Sequence, residues 1–442
     1  LAGSHRAPRG GSRAAAREAR RQKARKRNQT IAAGVAVVVL VGGGGVAALN
    51  AFGGDNEPGS KAGTSDDKPT ESSLLADAKV LLDGPTAKQL SATGTWAVTK
   101  TADGSSAPEQ SFVCQSQRFA DPAGQRTWVR TFQNSTTKDT AVQYIEVSND
   151  PTAASKAYTT IVGWLSTCST PQVRLTESYA TTGVGDRGVI AVFGQPSGKK
   201  MKYRTISVTL AGQATMVLEH DSVSDTPPKP APVLVASSTG LRRICADTGG
   251  CATGSPVAKE SLLPTSEPAG FMAPVDLPVL SDITKPWVST DAKTGAGTGC
   301  EKFDSLKKAK PLRYNSRTYL TPEAKVPTEF GLDETVSSFA TNAAAGNFYT
   351  SIRKNVDTCE KNVSNAKVDS TGTVSSGLVK GKSWEAEYDT GGGKTFTFRI
   401  GIASAGNRVV YLVYPVLKDL DISDSAFNDT LVRAAERSAT FK

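Results

Sequence analysis

Few residue clusters in this 442-residue chain have both the type and the spacing for catalysis. Ser135-Thr136-Thr137-Lys138, Ser148-Asn149-Asp150 and Lys293-Thr294-Gly295 have the composition of the serine and lysine boxes of acyl-transferring penicillin-binding proteins. Their spacing does not fit. Only about a dozen residues separate the first two, and the third lies past a domain boundary in a Gly-rich stretch. A Ser-His-Asp triad would need His220, the sole histidine outside the basic N-terminal arm, and no G-x-S-x-G elbow accompanies it. His220 ends a hydrophobic run and reads as an exposed strand-end residue. Gly391 to Gly393 precede an alternating strand pattern, whereas a phosphate loop leads into a helix, so a hairpin tip is the better reading. Two histidines in all argue against clustered-imidazole metal sites. The expectation is a chain with no catalytic site, no metal and no cofactor.

Two further groups of residues stand out. Arg126 lies beside Trp128, and Arg317 beside Tyr319. Arginine next to an aromatic in a cleft binds anionic or sugar-containing ligands, but strand alternation also lets the arginine simply cover the ring. The covering role is preferred, and the four are kept as candidate groove residues. The second group is six cysteines, all after residue 113. Their number permits 15 pairings from spacing alone.

The elements that must position these residues are written twice. Trp96 recurs as Trp287, Arg126-Thr127-Trp128 as Arg317-Thr318-Tyr319, and Tyr158, Ile161, Leu165 and Cys168 as Tyr349, Ile352, Val356 and Cys359, all at one shift. The last set falls at helical spacing, so each copy has an amphipathic helix whose terminal Cys faces the core. Strand patterns follow: Val173 to Ala180, Gly188 to Phe193, Met201 to Leu210 and Ala214 to Glu219 in the first copy. In the second they are Trp384 to Tyr388, Phe396 to Ile402 and Arg408 to Tyr414. Gly212 and Gly406 sit where hairpin turns need a positive φ. Closing helices are expected over 232–245 and 423–440. Sequential strands with short turns predict an α+β fold: two tandem homologous domains, each an antiparallel sheet with packed helices. If the second copy folds alone, Cys300 pairs with Cys359. The repeat then assigns Cys114–Cys168, a strand tied to a helix end, and leaves Cys245–Cys251. Each long bridge contributes roughly 3–4 kcal/mol by loop-closure entropy.

The N-terminus sets the compartment. Ten basic residues and one acid fall in residues 1–30, so the body carries little of the net charge of +10 and does not read as a nucleic-acid binder. Residues 31–49 hold no charge, and about 20 such residues span a bilayer. The positive-inside rule puts 1–30 in the cytoplasm and everything after about residue 53 outside. A cleavable signal peptide ending near Ala47 to Ala51 is the competing reading. Disulfide-capable cysteines confined to the outer part agree with an oxidising compartment. The expected organisation is a disordered tail (1–30), a transmembrane helix (31–52), a flexible linker (53–71), domain one (72–251), a connector (252–258) and domain two (259–442).

The run Val142 to Ser148, then Ala153-Ala154 to Tyr158, then Trp164 to Cys168 resembles the PknH-like extracellular sensor domain of actinobacteria. The resemblance covers 73–247, and more weakly 259–442. It implies a disulfide-braced α+β domain with a groove for an extracellular ligand, found on transmembrane kinases and on stand-alone membrane proteins. Two departures stand out. Only a basic arm precedes the apolar run, and Asn355 replaces the helix Trp in the second copy, which has one cystine where the family typically has two. The function expected is therefore a membrane-anchored, extracytoplasmic, non-catalytic ligand-binding or sensor-like protein, its partners being the membrane and a small-molecule or cell-wall ligand. An envelope scaffold or interaction protein is the second reading, and an outer-side hydrolase the third.

Overall fold

The computed structural model describes residues 77–252, 254–280, 283–290, 297–303, 309–327 and 330–441. The basic tail, the expected membrane span at 31–52, the linker at 53–71 and the Lys293-Thr294-Gly295 string lie outside them. Among the described residues no helix is long and apolar enough to cross a membrane.

The described residues form an α+β structure with two antiparallel sheets. The first contains β1 (Trp96–Asp103), β2 (Arg126–Asn134), β3 (Thr140–Val147), β4 (Arg174–Thr182), β5 (Arg187–Ser197), β6 (Lys200–Ala211), β7 (Ala214–Ser224) and β8 (Val257–Glu260). The second contains β9 (Val288–Thr290), β10 (Arg313–Leu320), β11 (Leu332–Ser338), β12 (Ala366–Ser376), β13 (Val379–Asp389), β14 (Thr395–Ala405) and β15 (Arg408–Val416). Strand order is β1-β2-β3-β7-β6-β5-β4-β8 in one and β12-β13-β14-β15-β11-β10-β9 in the other. Read in reverse, the second repeats the first strand for strand, without a counterpart of β8 among the described residues.

Helix α1 (Pro151–Ser166) crosses from β3 to β4, and α3 (Asn342–Asp357) crosses from β11 to β12. Asp150 starts α1 by accepting from the Thr152 and Ala153 N–H groups at 2.7 and 2.9 Å, with Pro151 at the first helical position. The Ser148-Asn149-Asp150 string is thus a helix start. Tyr158, Ile161 and Leu165 bury against Val189, Ile206 and Val208 on one sheet face. On the other face, α2 (Ala231–Arg242) packs Leu234 and Leu241 against Trp128 and Ile145. The second half repeats this: α3 presents Ile352 and Val356 to Trp384 and Ile400, while α4 (Asp424–Ser438) presents Phe427 and Leu431 to the opposite face. Gly212 and Gly406 adopt φ of 55° and 61° in the hairpins between β6 and β7 and between β14 and β15. Gly391 to Gly393 form the tip joining β13 to β14.

Three findings differ from the sequence expectation. Strand β12 carries Lys, Asp, Ser and Thr with weak alternation, so its edge position left no readable pattern. Residues 257–260, expected to straddle the connector and the second domain, pair with β4 as part of the first sheet. His220 is buried inside β7, its ring edge-on to Trp96 at 5.7 Å and Nε2 3.5 Å from Asp139. The longer strand keeps it from the exposed end.

Candidate functional site

The disulfides join Cys114 to Cys168, Cys245 to Cys251 and Cys300 to Cys359. The anchor at the first cysteine of each long bridge is a loop, where a strand was expected: Cys114 sits in a turn at φ 65°, ahead of β2. Each long bridge clamps such a loop over the end of a helix, on the core side of the sheet. Buried carboxylates hold the same loops. Glu219 accepts from the Val113 N–H at 2.7 Å, and Glu301 accepts from the Gly299 N–H at 3.0 Å and from the Tyr411 hydroxyl. Burial, followed by repulsion from Asp221, raises Glu219 above the usual carboxylate range.

The four candidate groove residues are not equivalent pairs. Arg126 lies opposite Val147 and Arg313 opposite Ser338, each next to the strand end that leads into α1 or α3. The structural counterpart of Arg126 is therefore Arg313. By the same ladders Arg317 matches Arg130, and Tyr319 matches Phe132. The string match slid by four residues because both strands carry arginines four apart. Arg126 stands over Trp128 with its guanidinium 5.8 Å from the ring centroid, on a ring that packs into the core. Arg317 is nearly buried, ion-paired to Glu267 and donating to Ser289 Oγ at 2.7 Å. Tyr319 is fully buried, 2.6 Å from Glu334 Oε2 and 2.9 Å from Met272 O. Arg126 covers its ring, while Arg317 and Tyr319 are built into the second core. None of the four lines the clefts described next.

Among the described residues, a roomy space lies where the two halves meet. The connector beyond β8 threads both cores: Leu263, Ala273 and Val275 pack into the first, and Phe271, Met272 and Leu277 into the second. Asp276, wholly buried, is gripped by Arg437 of α4 through Nε at 2.8 Å and Nη2 at 3.3 Å, while Arg437 Nη1 donates to Leu263 O at 2.6 Å. One turn earlier Arg433 donates to Thr176 O of β4 at 3.0 Å. These contacts set β4 beside α4 and leave a cleft of about 820 Å³. Its walls come from Glu177, Glu260, Asn407, Arg408, Arg433 and Glu436, with Leu378 at its rim. A second cleft of about 450 Å³ shares Thr176, Glu177, Arg433 and Glu436 and adds Arg174, Tyr203 and Asp429. Partial burial raises Glu436 above its ordinary pKa, and the negative charges of Glu260 and Asp276 add to this against Arg433. Glu177 is held by the Tyr179 hydroxyl, which donates at 2.5 Å. Carboxylates and guanidinium groups thus face one space, a lining suited to a polar ligand carrying charge of both signs.

No family model and no curated relative matches the chain. Among solved structures it is weakly similar to DynU16, a protein of the dynemicin biosynthetic locus, at 11% identity over 68% of this chain and 96% of that one, with a TM-score of 0.12. It is similar to the same degree to an acyl-CoA thioesterase II, TesB2, from Mycobacterium marinum: 9% identity, 62% and 93% coverage, TM-score 0.12. A conserved hot dog fold protein from Alicyclobacillus acidocaldarius gives 10% identity, 62% and 93% coverage and a TM-score of 0.13. Scores this low carry no argument about fold or activity.

Sequence reasoning missed the seam. Glu177, Glu260, Arg433 and Glu436 share no motif and come from segments far apart in the chain. One signal was present. The segment from Leu262 to Leu280 is rich in Leu, Val, Phe, Met and Pro, too apolar for a solvated connector.

Proposed function

We propose that the chain is a non-catalytic, extracytoplasmic binding protein built of two sensor-like halves, held at the membrane by the apolar segment at 31–52, and that its ligand occupies the seam cleft. The 820 Å³ space carries this reading, because it falls within the range of small-molecule sites and presents charged side chains from both halves. Three disulfides suit an oxidising compartment, and the basic arm ahead of an apolar run suits an anchor with its body outside. This placement moves the ligand away from a groove within each half, where the resemblance to the PknH-like domain had put it.

Untargeted mass spectrometry of small molecules co-purifying with the chain tests the reading, run beside an Ala439→Trp variant. Ala439 is exposed and lines the cleft, so the indole projects into the space and narrows it without disturbing a core. A compound enriched with the wild type and absent from the variant is the expected outcome. Equal recovery from both would place binding elsewhere.

A further inference from the structure

The two sheets differ at one edge. In the first, the outer side of β4 is covered: Tyr179, Ala180, Thr181 and Thr182 pair with Glu260, Lys259, Ala258 and Val257 of β8, and Ser261 N donates to Ser178 O at 3.0 Å. In the second, β12 occupies the place of β4, and among the described residues no strand pairs with its outer side. Matching the ladders outward from the β6–β7 and β14–β15 hairpins puts Val374 where Thr181 lies, and Thr373 and Ser375 where Ala180 and Thr182 lie.

The backbone of β12 is set for a partner over a short stretch. Its Val368 N–H points away from β13 and is taken by Glu360 Oε1 at 2.7 Å, so a side chain already occupies the edge at this residue. Beyond the irregularity between Ser370 and Gly372, alternation turns the N–H and C=O groups of Thr373 and Ser375 outward, and both residues are exposed. The turn that follows is also bare. In the first half the corresponding turn is covered by the residues just ahead of β8, so closely that a Cβ on Gly183 would lie 2.2 Å from Ser255 O. In the second half this turn carries Leu378, 82% exposed.

We infer that residues 371–376 of β12 form a docking edge that accepts an extended, antiparallel segment of a partner polypeptide, as β8 fills β4. The occupied half defines the chemistry of that segment. Ala258, opposite Thr181, packs on the first core between exposed Val257 and Lys259. A partner for β12 places a small apolar residue opposite Val374, which packs on the second core, with polar residues beside it and an apolar group against Leu378. A second copy of this chain fits less well. A six-residue edge bounded by Glu360 and the turn at Gly377 buries far less than the roughly 1,000 Å² a stable dimer needs.

The test uses the full chain with a copy of residues 254–262 appended behind residue 442 through a Gly/Ser spacer, which presents the β8 sequence at high local concentration. Hydrogen exchange is read at the β12 amides. The expected result is exchange at Thr373 and Ser375 slowed about tenfold or more, with the slowing of Ser375 lost in a Thr373→Pro variant whose melting matches that of the unextended chain. Proline is tolerated there because the N–H it removes faces out of the sheet. If that variant fails to fold, Ser375→Pro serves in its place, with Thr373 as the reporter. Unchanged exchange overturns the inference. So does protection in the unextended chain that rises with protein concentration, since that would assign the edge to a second copy.

Discussion

Arg437 and Asp276 form a bidentate ion pair in which the aspartate is wholly enclosed and the arginine nearly so. Asp276 belongs to the connector, whose neighbours Ala273 and Val275 lie in the first core, whereas Arg437 belongs to the last helix of the second half. Removing one partner leaves a buried charge poorly compensated, Asp276 keeping only the more distant Arg433 at 4.0 Å and the Ala273 N–H, at a cost of up to roughly 3–5 kcal/mol. Arg437→Met and Asp276→Ala are each expected to lower the unfolding free energy by an amount of that order, read from the shift of the denaturation midpoint in chemical unfolding. The double variant is expected to be less destabilised than the sum of the two singles.

Glu334 offers a pH test. Its carboxyl is buried beside Tyr319 and accepts from the Met272 N–H at 3.1 Å. Burial pushes its pKa up to about 8 from 4.5; Asp276 adds to the rise, while Tyr319, the Met272 N–H and Arg317 oppose it. The folded state then holds this proton up to about pH 8 and the unfolded state only to about 4.5. Stability from this group is full below pH 4.5 and is lost as pH rises through 8, on the order of a few kcal/mol. The first half supplies the control. At the matching position Gln143 Oε1 accepts from the Leu82 N–H at 2.8 Å, an amide doing the work of a neutral acid. Glu334→Gln is expected to match the wild type near pH 5 and to exceed it in melting temperature near pH 8.5.

The two glycine turns are expected to respond unequally. A Cβ on Gly212 would lie 1.9 Å from Thr248 O, because the Cys245–Cys251 loop folds over this hairpin. A Cβ on Gly406 would meet nothing closer than Asn342 Oδ1 at 3.9 Å. Gly406→Ala then costs about 1 kcal/mol for the positive φ alone. Gly212→Ala costs more than that, through displacement of the loop. Thermal melts of the two variants compare them directly.

Loop-closure entropy orders the disulfides. The Cys114–Cys168 and Cys300–Cys359 bridges close separations of 54 and 59 residues, against 6 for Cys245–Cys251. Paired Cys→Ser variants are expected to lose about 4 kcal/mol for either long bridge and about 2 kcal/mol for the short one. Denaturant titration of the three variants gives the ranking.

What the sequence made legible followed local periodicity. The helix stripes Tyr158–Ile161–Leu165 and Ile352–Val356 and the hairpin glycines rest on spacing within a copy, and the cystine partners on matching one copy to the other. What it concealed depended on register or on distant segments. Arg-Thr-aromatic strings matched by letter, yet hydrogen-bond register aligns Arg317 with Arg130, because a strand can slide without changing its composition. Strand β12 had no alternation to read, since its edge position buries little of either face. The seam joins Asp276 and Glu260 to Arg437 and Glu436, and no periodicity links positions so far apart.

Scanning calorimetry on the intact chain tests most directly whether the cleft belongs to one folded body. With Arg437 holding the connector and both cores threaded by it, the folded residues should unfold in one transition whose calorimetric and van't Hoff enthalpies agree. Two separable transitions, one for each sheet, would contradict the account, because a cleft between independently melting halves would not hold its shape for a ligand.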